Sequence, residues 1–413
     1  METQVPLTIF DRFASNLHIA VLFAFAAPTP SNDALLDGLS KVITHFPTLI
    51  GRLGYSSSHR RPCVILGGDG GGALVVEATV SSELSDYLPL EPSPELQLLH
   101  PSPFDAVHLL QVQLNRFKCG GLVIGATAHH RVADGQSMST FFVSWSQIVR
   151  GTTVDRLPVY DRSWLNPRRP PRCEFEHWGL DFVPIPTHRR GFTINPVDVD
   201  PSEITNMLVR YSTDYIRKLK AEVNNKYTTF ETLLGHLWRK ITIARGLQDC
   251  DLTMVRVSVN GRTRLKPPVP NEFFGNLVLN AYPKANVKLL ITGGLAAAAS
   301  IVHEAILEID QRYFQSFMDF GELYGEEELV PAYDVDGIVL SPILEADSWV
   351  RLRFQEVDFG GGGGLRGFLP TWVPFEGLVM LLPGLGEEGG IDAFVTLIAE
   401  HAKLLRQISH SLD

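Results

Sequence analysis

Cysteine is scarce in this chain. Four occur in 413 residues, Cys63, Cys119, Cys173 and Cys250, far apart, with no Cys-x-x-Cys and no histidine at ligand spacing. That pattern excludes a disulfide framework and a zinc site, so no metal is expected, and it suits four reduced thiols in the cytosol. Long apolar runs are missing too: the longest early one, Ile19 to Ala27, is too short to span a bilayer, and the opening Met-Glu-Thr-Gln-Val-Pro has no basic region of the kind a signal peptide needs. No membrane segment is expected, and the location expected is cytoplasmic. Lysine and arginine form no long run and the net charge is −10, which sets nucleic acid and anionic membranes aside as partners. There is no Gly-x-Ser-x-Gly, and Gly135-Gln-Ser137-Met-Ser lacks the second glycine, which argues against a serine hydrolase. The glycine-rich stretch after Leu66 lacks Gly-Lys-Ser/Thr and precedes no helix; within Cys63 to Ala78 it predicts a hairpin turn rather than a phosphate loop.

What remains is globular composition, 45% hydrophobic and 20% charged, with length for two or three domains. The chain is organised around Ala126-Thr-Ala-His129-His130-Arg-Val-Ala-Asp134-Gly135. An apolar β-branched run precedes it, and Ser137 to Trp145 follows with apolar residues at helical spacing, so the histidine pair falls where a strand ends. A neutral imidazole there can take a proton from an attacking nucleophile. Asp134, four residues on, fixes a tight turn or pairs with a distant arginine. Alone, that spacing also suits plain turn and cap residues.

Other elements follow from periodicity. Strands are expected at His18 to Ala26, Met207 to Tyr211, Leu252 to Val259, Val335 to Leu340, Gly377 to Pro383 and Ile391 to Leu397. Helices are expected after Ser31, from Thr213 to about Asn224, from about Thr229, over Leu289 to Gln311 and over Ile398 to Ser409. From Pro158 to Pro201 the chain is rich in proline, arginine and aromatic residues without a period, which reads as a crossover linker between domains 1–157 and 202–413.

His130-x-x-x-Asp134-Gly135 resembles the signature of the BAHD acyltransferases, plant enzymes that move an acyl group from coenzyme A to an alcohol or amine. Thr229 to Arg239 with Ala244-Arg-Gly-Leu, Asn260-Gly-Arg262-Thr-Arg264-Leu-Lys-Pro-Pro, Phe274-Gly275-Asn276 and Asp358-Phe359-Gly360 resemble further family segments, in family order along nearly the whole chain. Within the family the chain looks most like hydroxycinnamoyl-CoA transferases that use agmatine or tryptamine.

The resemblance implies an α+β fold of two chloramphenicol-acetyltransferase-like domains, each a mixed sheet flanked by helices, with a channel at their interface reaching His130 from both sides. It implies an acyl-CoA-dependent N-acyltransferase that carries a hydroxycinnamoyl or benzoyl group to an amine, acting as a monomer, with acyl-CoA as co-substrate and no permanently bound cofactor. The alternatives are an O-acyltransferase on an alcohol and a family-like binding protein without turnover. His130 is the expected general base, Ser348 the oxyanion donor and Trp349 the wall of the acceptor pocket, although the last two equally suit a strand-edge serine beside a core tryptophan. Asp134, Gly135, Arg262 and Asp358 are structural support, with Asp134 paired to Arg262 or, as the alternative, Arg264. Thr8, Asp11 and Arg351 are the substrate-side candidates, although Thr8 and Asp11 equally suit a turn and a cap. Thr229, Gly360 and Arg366 are the coenzyme A candidates; Thr229 equally suits helix capping. Two departures stand out. Relatives carry some two dozen further residues before this opening, contributing a first strand, and they have Trp and a basic residue where this chain has Gly361 and Gly363, so the run Gly360–Gly364 is expected to be loose, with Arg366 in place of the missing charge.

Overall fold

The structure, a computed structural model, describes residues 2–56, 61–103, 106–184, 199–325, 327, 329–332, 338–386 and 389–412. Two large sheets dominate it. The first has five strands in the order Leu365–Pro370, His18–Phe25, Leu122–His129, Leu110–Phe117, Leu74–Val80, antiparallel except for the last pair. The second has seven, running Val278–Ala281, Leu252–Asn260, Ile343–Ser348, Leu378–Pro383, Ile391–Ile398, Ile204–Tyr211, with Lys284–Asn286 also paired to Leu252–Asn260. Ile343–Ser348 runs parallel to both neighbours, so this sheet is mixed.

Period-2 alternation decides which way the second sheet faces. Val255, Val257, Leu344, Ala346, Val379 and Leu381 point into one core with the helices Thr229–Ala244, Gly294–Glu308 and Ala399–Ile408. The intervening Arg256, Ser258, Glu345, Asp347 and Met380 face the opposite way, toward the first half of the chain. There a second core joins the helices Asn32–Val42 and Gly135–Val149 to Phe274, Trp349, Phe354, Phe359 and Phe394 from the other half. The Leu365–Pro370 strand crosses over to pair with His18–Phe25. The two halves are therefore sewn together by a shared sheet as well as by apolar contact.

Three elements differ from the reading of the sequence. Pro62–Leu66 and Leu74–Val80 are not a hairpin: the first pairs with Thr3–Pro6 and Arg52–Tyr55 in a three-stranded sheet, the second runs parallel to Leu110–Phe117. The glycines between them carry the chain from one sheet to the next, with positive φ at Gly67, Gly68, Gly70 and Gly72. The expected helix over Leu289 to Gln311 breaks into Val287–Thr292 and Gly294–Glu308, because Gly294 sits at φ 72° and cannot continue a right-handed helix. Of the expected strand Val335 to Leu340, residues 335–337 lie outside the described residues, and Val339 makes an isolated bridge to Glu376. In the crossover segment Phe182–Pro184 forms a small strand with Leu329–Pro331; residues 185–198 lie outside the described residues. Among the described residues no helix is long and apolar enough to cross a membrane.

Candidate active site

The Leu122–His129 strand ends as expected, and the chain turns through a short 3-10 segment, His130–Val132, into the helix Gly135–Val149. Alternation sends the two histidines opposite ways. His129 is buried, takes a hydrogen bond from Arg131 N at 3.2 Å on Nδ1, and meets the His18 ring edge-on at 4.9 Å. Burial first, then the positive charges and rings around it, push its pKa down to about 3, so it is neutral at physiological pH. His130 instead faces a cavity of about 570 Å³ between the two sheets, a size that suits a small aromatic ligand. Its Nδ1 is buried without a hydrogen-bond partner among the described residues.

Asp134 does both things its spacing allowed. Its Oδ1 caps the following helix by accepting from Ser137 N at 2.9 Å. Arg262 donates to Oδ2 at 2.7 Å and to Oδ1 at 3.0 Å, with both side chains buried. Arg262 also donates to the carbonyls of Phe273 and Gly275, and Leu277 N donates to Asp134 Oδ2 at 3.1 Å. The pair thus ties the histidine turn to the other half of the chain, and Asp134 also lines the cavity. Gly135 lines the cavity, and a Cβ there would stand 2.9 Å from Leu352 Cδ1.

The remaining expected site residues fall differently. Trp349 lines the cavity and donates its indole N–H to Asp347 at 2.9 Å. Ser348 does not line it: in the Ile343–Ser348 strand the period of two puts Glu345 and Asp347 on the cavity face, so Asp347 stands where Ser348 was expected. Arg351 is exposed in the turn after that strand and does not reach the cavity. Thr8 and Asp11 form a capping box at the helix Ile9–Phe13. Asp11, 2% exposed, faces Asn276 rather than a ligand. Thr229 belongs to a helix on the outer face of the second sheet, capped by Thr228 with Glu231, so it lies away from the cavity.

Gly360 and Arg366 also lie away from it. Leu365 pairs with Phe25, seven residues along the strand from His18, or roughly 23 Å at strand rise. Asp358 is half-exposed, pairs with Arg150 at 3.1 Å and accepts from Gly360 N at 2.8 Å. The five-glycine run is not slack in this structure. Gly363 donates to the Pro28 carbonyl, and a Cβ on it would come within 1.6 Å of the Ala26 carbonyl oxygen, so the segment is seated against the Ala26–Pro28 backbone at a distance only glycine permits.

Three charged residues that the sequence reading missed also line the cavity: Asp347, Glu345 and Arg256. Asp347 is held by Ser348 N at 2.7 Å and by Trp349. Enclosure raises its pKa above the ordinary carboxylate range, opposed by these hydrogen bonds and by His130 nearby. Arg256 donates to Glu345 at 3.2 Å. Phe142, Phe354, Met138, Leu378 and Met380 supply an apolar wall. The lining thus offers an apolar wall, the His130 imidazole and the Asp347 carboxylate, with Glu345 held by Arg256.

A Ser-His-Asp arrangement lies elsewhere. Ser316 Oγ is 3.0 Å from His177 Nε2, and His177 Nδ1 is 2.8 Å from Asp181 Oδ2. Ser316 is buried, its oxygen accepting from the backbone N–H of Glu174 and Phe175, while Tyr313 and Tyr282 donate to Asp181. With its hydroxyl sealed and saturated, this group latches the crossover segment to the helix Gln311–Leu323 and offers no nucleophile. Among the described residues no group of three His, Cys, Asp or Glu side chains could hold a metal ion.

The model of the Transferase family matches residues 1–411. Agmatine hydroxycinnamoyltransferase 1 of Oryza sativa subsp. japonica is 39% identical over 409 residues, covering 96% of this chain and 90% of its own. Tryptamine hydroxycinnamoyltransferase 2 of the same plant is 39% identical over 415 residues, covering 98% and 93%. Among solved structures, F. sporotrichioides TRI101 complexed with coenzyme A and T-2 superposes with a TM-score of 0.80 at 16% identity, covering 98% of this chain and 97% of its own. At that identity the likeness speaks for the fold.

Proposed function

The chain belongs to the Transferase family, the BAHD acyltransferases, and on that premise we propose that it moves a hydroxycinnamoyl or benzoyl group from coenzyme A to the nitrogen of an amine such as tryptamine or agmatine. The observation that carries the amine reading is the placement of Asp347 on the cavity wall near His130, with Glu345 on the same strand face held by Arg256, in a lining otherwise rich in apolar side chains. An alkylammonium is drawn to a carboxylate by charge as well as by hydrogen bonding, whereas an alcohol offers it a hydrogen bond alone. The names of the similar rice transferases agree with that acceptor class.

In the reaction so proposed, His130 accepts the proton from nitrogen as it attacks the thioester carbonyl. The imidazolium that forms is countered by Asp347 and returns its proton to the departing thiolate, so no acyl-enzyme is required. Ser348 is not among the residues that line the cavity, so we assign the oxyanion donor instead to a neutral group that does, such as Ser258 or Trp372. Coenzyme A use, action as a monomer and a cytosolic location complete the proposal. Coenzyme A use is supported by the complex of similarly folded TRI101 with coenzyme A, and the cytosol by free thiols at all four cysteines.

The test is coenzyme A release from coumaroyl-CoA and benzoyl-CoA with tryptamine, agmatine, putrescine, shikimate and simple alcohols. The expected result is that an amine gives the highest kcat/KM, rising about tenfold per pH unit from roughly pH 6.5 to 9 as the free amine forms. Faster turnover with shikimate or an alcohol would replace the amine by a hydroxyl acceptor, and binding without turnover on the whole panel would leave a binding protein.

A further inference from the structure

His130 is held from behind as well as by its own strand. Its N–H donates to the Leu17 carbonyl at 2.9 Å, continuing the pairing of the His18–Phe25 and Leu122–His129 strands. Its carbonyl, past the end of the ladder, accepts from Asn276 Nδ2 at 2.9 Å. The same amide nitrogen donates its other hydrogen to Asp11 Oδ1 at 3.0 Å, and Asn276 N reaches that oxygen at 3.1 Å. Asp11 Oδ2 is taken by Thr8, whose N–H and hydroxyl both donate at 2.8 Å, with Arg162 Nη2 3.8 Å away. Asp11 and Asn276 are both buried.

We infer that Asn276, anchored by Asp11, is a positioning residue for the acyl transfer: it fixes the peptide of His130 and so aims the imidazole into the cavity. The His130 Nδ1 finds no partner among the described residues, so none of their carboxylates orients the ring from behind, as one does in a catalytic triad. The backbone at 130 opens a 3-10 turn, held by its N–H to Leu17 and by its carbonyl, which accepts from Ala133 N at 3.3 Å and from Asn276; of these bonds, the one from Asn276 ties it to the other half of the chain. Asn276 is suited to the task because its amide supplies two N–H groups, one for the carbonyl to be held and one for the anchor. A buried carboxylate already accepting from four neutral donors makes that anchor stiff. The Asp11 side chain, which the resemblance offered as a substrate-side candidate and the sequence equally as a cap, thereby acts on the reaction from outside the cavity. This inference rests on His130 being the base.

The experiment compares Asn276→Ala and Asp11→Asn with a core control, Leu279→Ala, which lies at 0% exposure on the neighbouring strand and touches none of these hydrogen bonds. Assays run at a temperature where all remain folded by circular dichroism. Asn276→Ala is expected to lower kcat about tenfold or more, since small misplacements of a reacting group cost up to about a hundredfold. KM for acyl-CoA should stay within about twofold, because nothing in the cavity lining has changed, and Asp11→Asn should give a smaller loss of the same kind. If Asn276→Ala fails to fold, Asp11→Asn supplies the same split between kcat and KM. Unchanged kcat in the folded variants, or a loss in Leu279→Ala equal to theirs, would overturn the positioning role. A loss in which His130→Ala itself keeps full activity would instead overturn the assignment of the base on which the inference stands.

Discussion

Arg262 grips Asp134 through two parallel hydrogen bonds, 2.7 and 3.0 Å long, in a pair with the arginine at 0% and the aspartate at 3% exposure. Arg262 lies 128 residues downstream, so this contact sets the second half of the chain against the turn that carries His130. Removing one partner leaves a buried charge unanswered, and Asp134→Ala is expected to destabilise the fold by about 3 to 5 kcal/mol. Chemical denaturation of the purified variant measures it. A large loss of rate with unchanged stability would make Asp134 a direct participant in the reaction.

Asp347→Asn keeps the shape of the carboxylate and one of its two accepted hydrogen bonds, from Ser348 N or from the Trp349 indole, while removing the charge that faces the cavity. A charge-assisted hydrogen bond is worth about 1.5 to 3 kcal/mol, so KM for the amine is expected to rise about tenfold or more, with KM for acyl-CoA nearly unchanged. Ser348→Ala should be silent in the same steady-state assay. The opposite ranking would return the oxyanion role to Ser348.

Ser316→Ala tests the sealed Ser-His-Asp arrangement. The hydroxyl answers two backbone N–H groups and His177, so its loss is expected to lower Tm by several degrees, with about 1 to 3 kcal/mol lost per unsatisfied buried group. The kcat of acyl transfer should not change. Loss of an esterase activity in this variant would show that the hydroxyl is reachable after all.

Acid should unfold this protein through its buried histidines. His129 is pushed down to about 3 and His236 to about 4, in both cases chiefly by burial, against about 6.5 for an unfolded histidine. The unfolded chain therefore binds more protons below about pH 6.5, and stability falls as the pH drops from about 6.5 toward 4, by about 1.4 kcal/mol per pH unit for each histidine fully protonated on unfolding. Tm recorded from about pH 7.5 to 4.5 measures this. His236 lies remote from the cavity, its Nε2 hydrogen-bonded to the Ser409 carbonyl. Equal Tm values at neutral pH and at about pH 5 would show that these rings are not held neutral.

Much of this site was legible in the sequence because its defining residues are close together along the chain. A strand, a histidine, an aspartate cap and a helix lie within Leu122 to Val149, and local periodicity displays each of them. Arg262 was legible only through the resemblance, since nothing local announces a partner so far away. Asp347 shows the opposite case. Leu344 and Ala346 alternate with Glu345 and Asp347, a pattern that marks one polar and one apolar face; attention to the neighbouring Ser-Trp pair concealed the phase. The partners of Pro62–Leu66 and Leu74–Val80 depended on long-range pairing, and adjacency in sequence pointed instead to a hairpin. Thr8 and Asp11 carried a visible capping pattern, but their meaning came only with Asn276, which lies 265 residues beyond Asp11.

The central claim is that His130 is the base, and one measurement tests it most directly: the single-turnover rate of coenzyme A release from coumaroyl-CoA with tryptamine, for His130→Ala and His129→Ala beside the unaltered enzyme. General-base catalysis contributes roughly 10²- to 10⁴-fold. His130→Ala is predicted to lose that much while still binding acyl-CoA, and His129→Ala, altered at a buried neutral ring, to lose far less. A His130→Ala enzyme within about tenfold of the unaltered rate, or a greater loss at His129, would contradict the account.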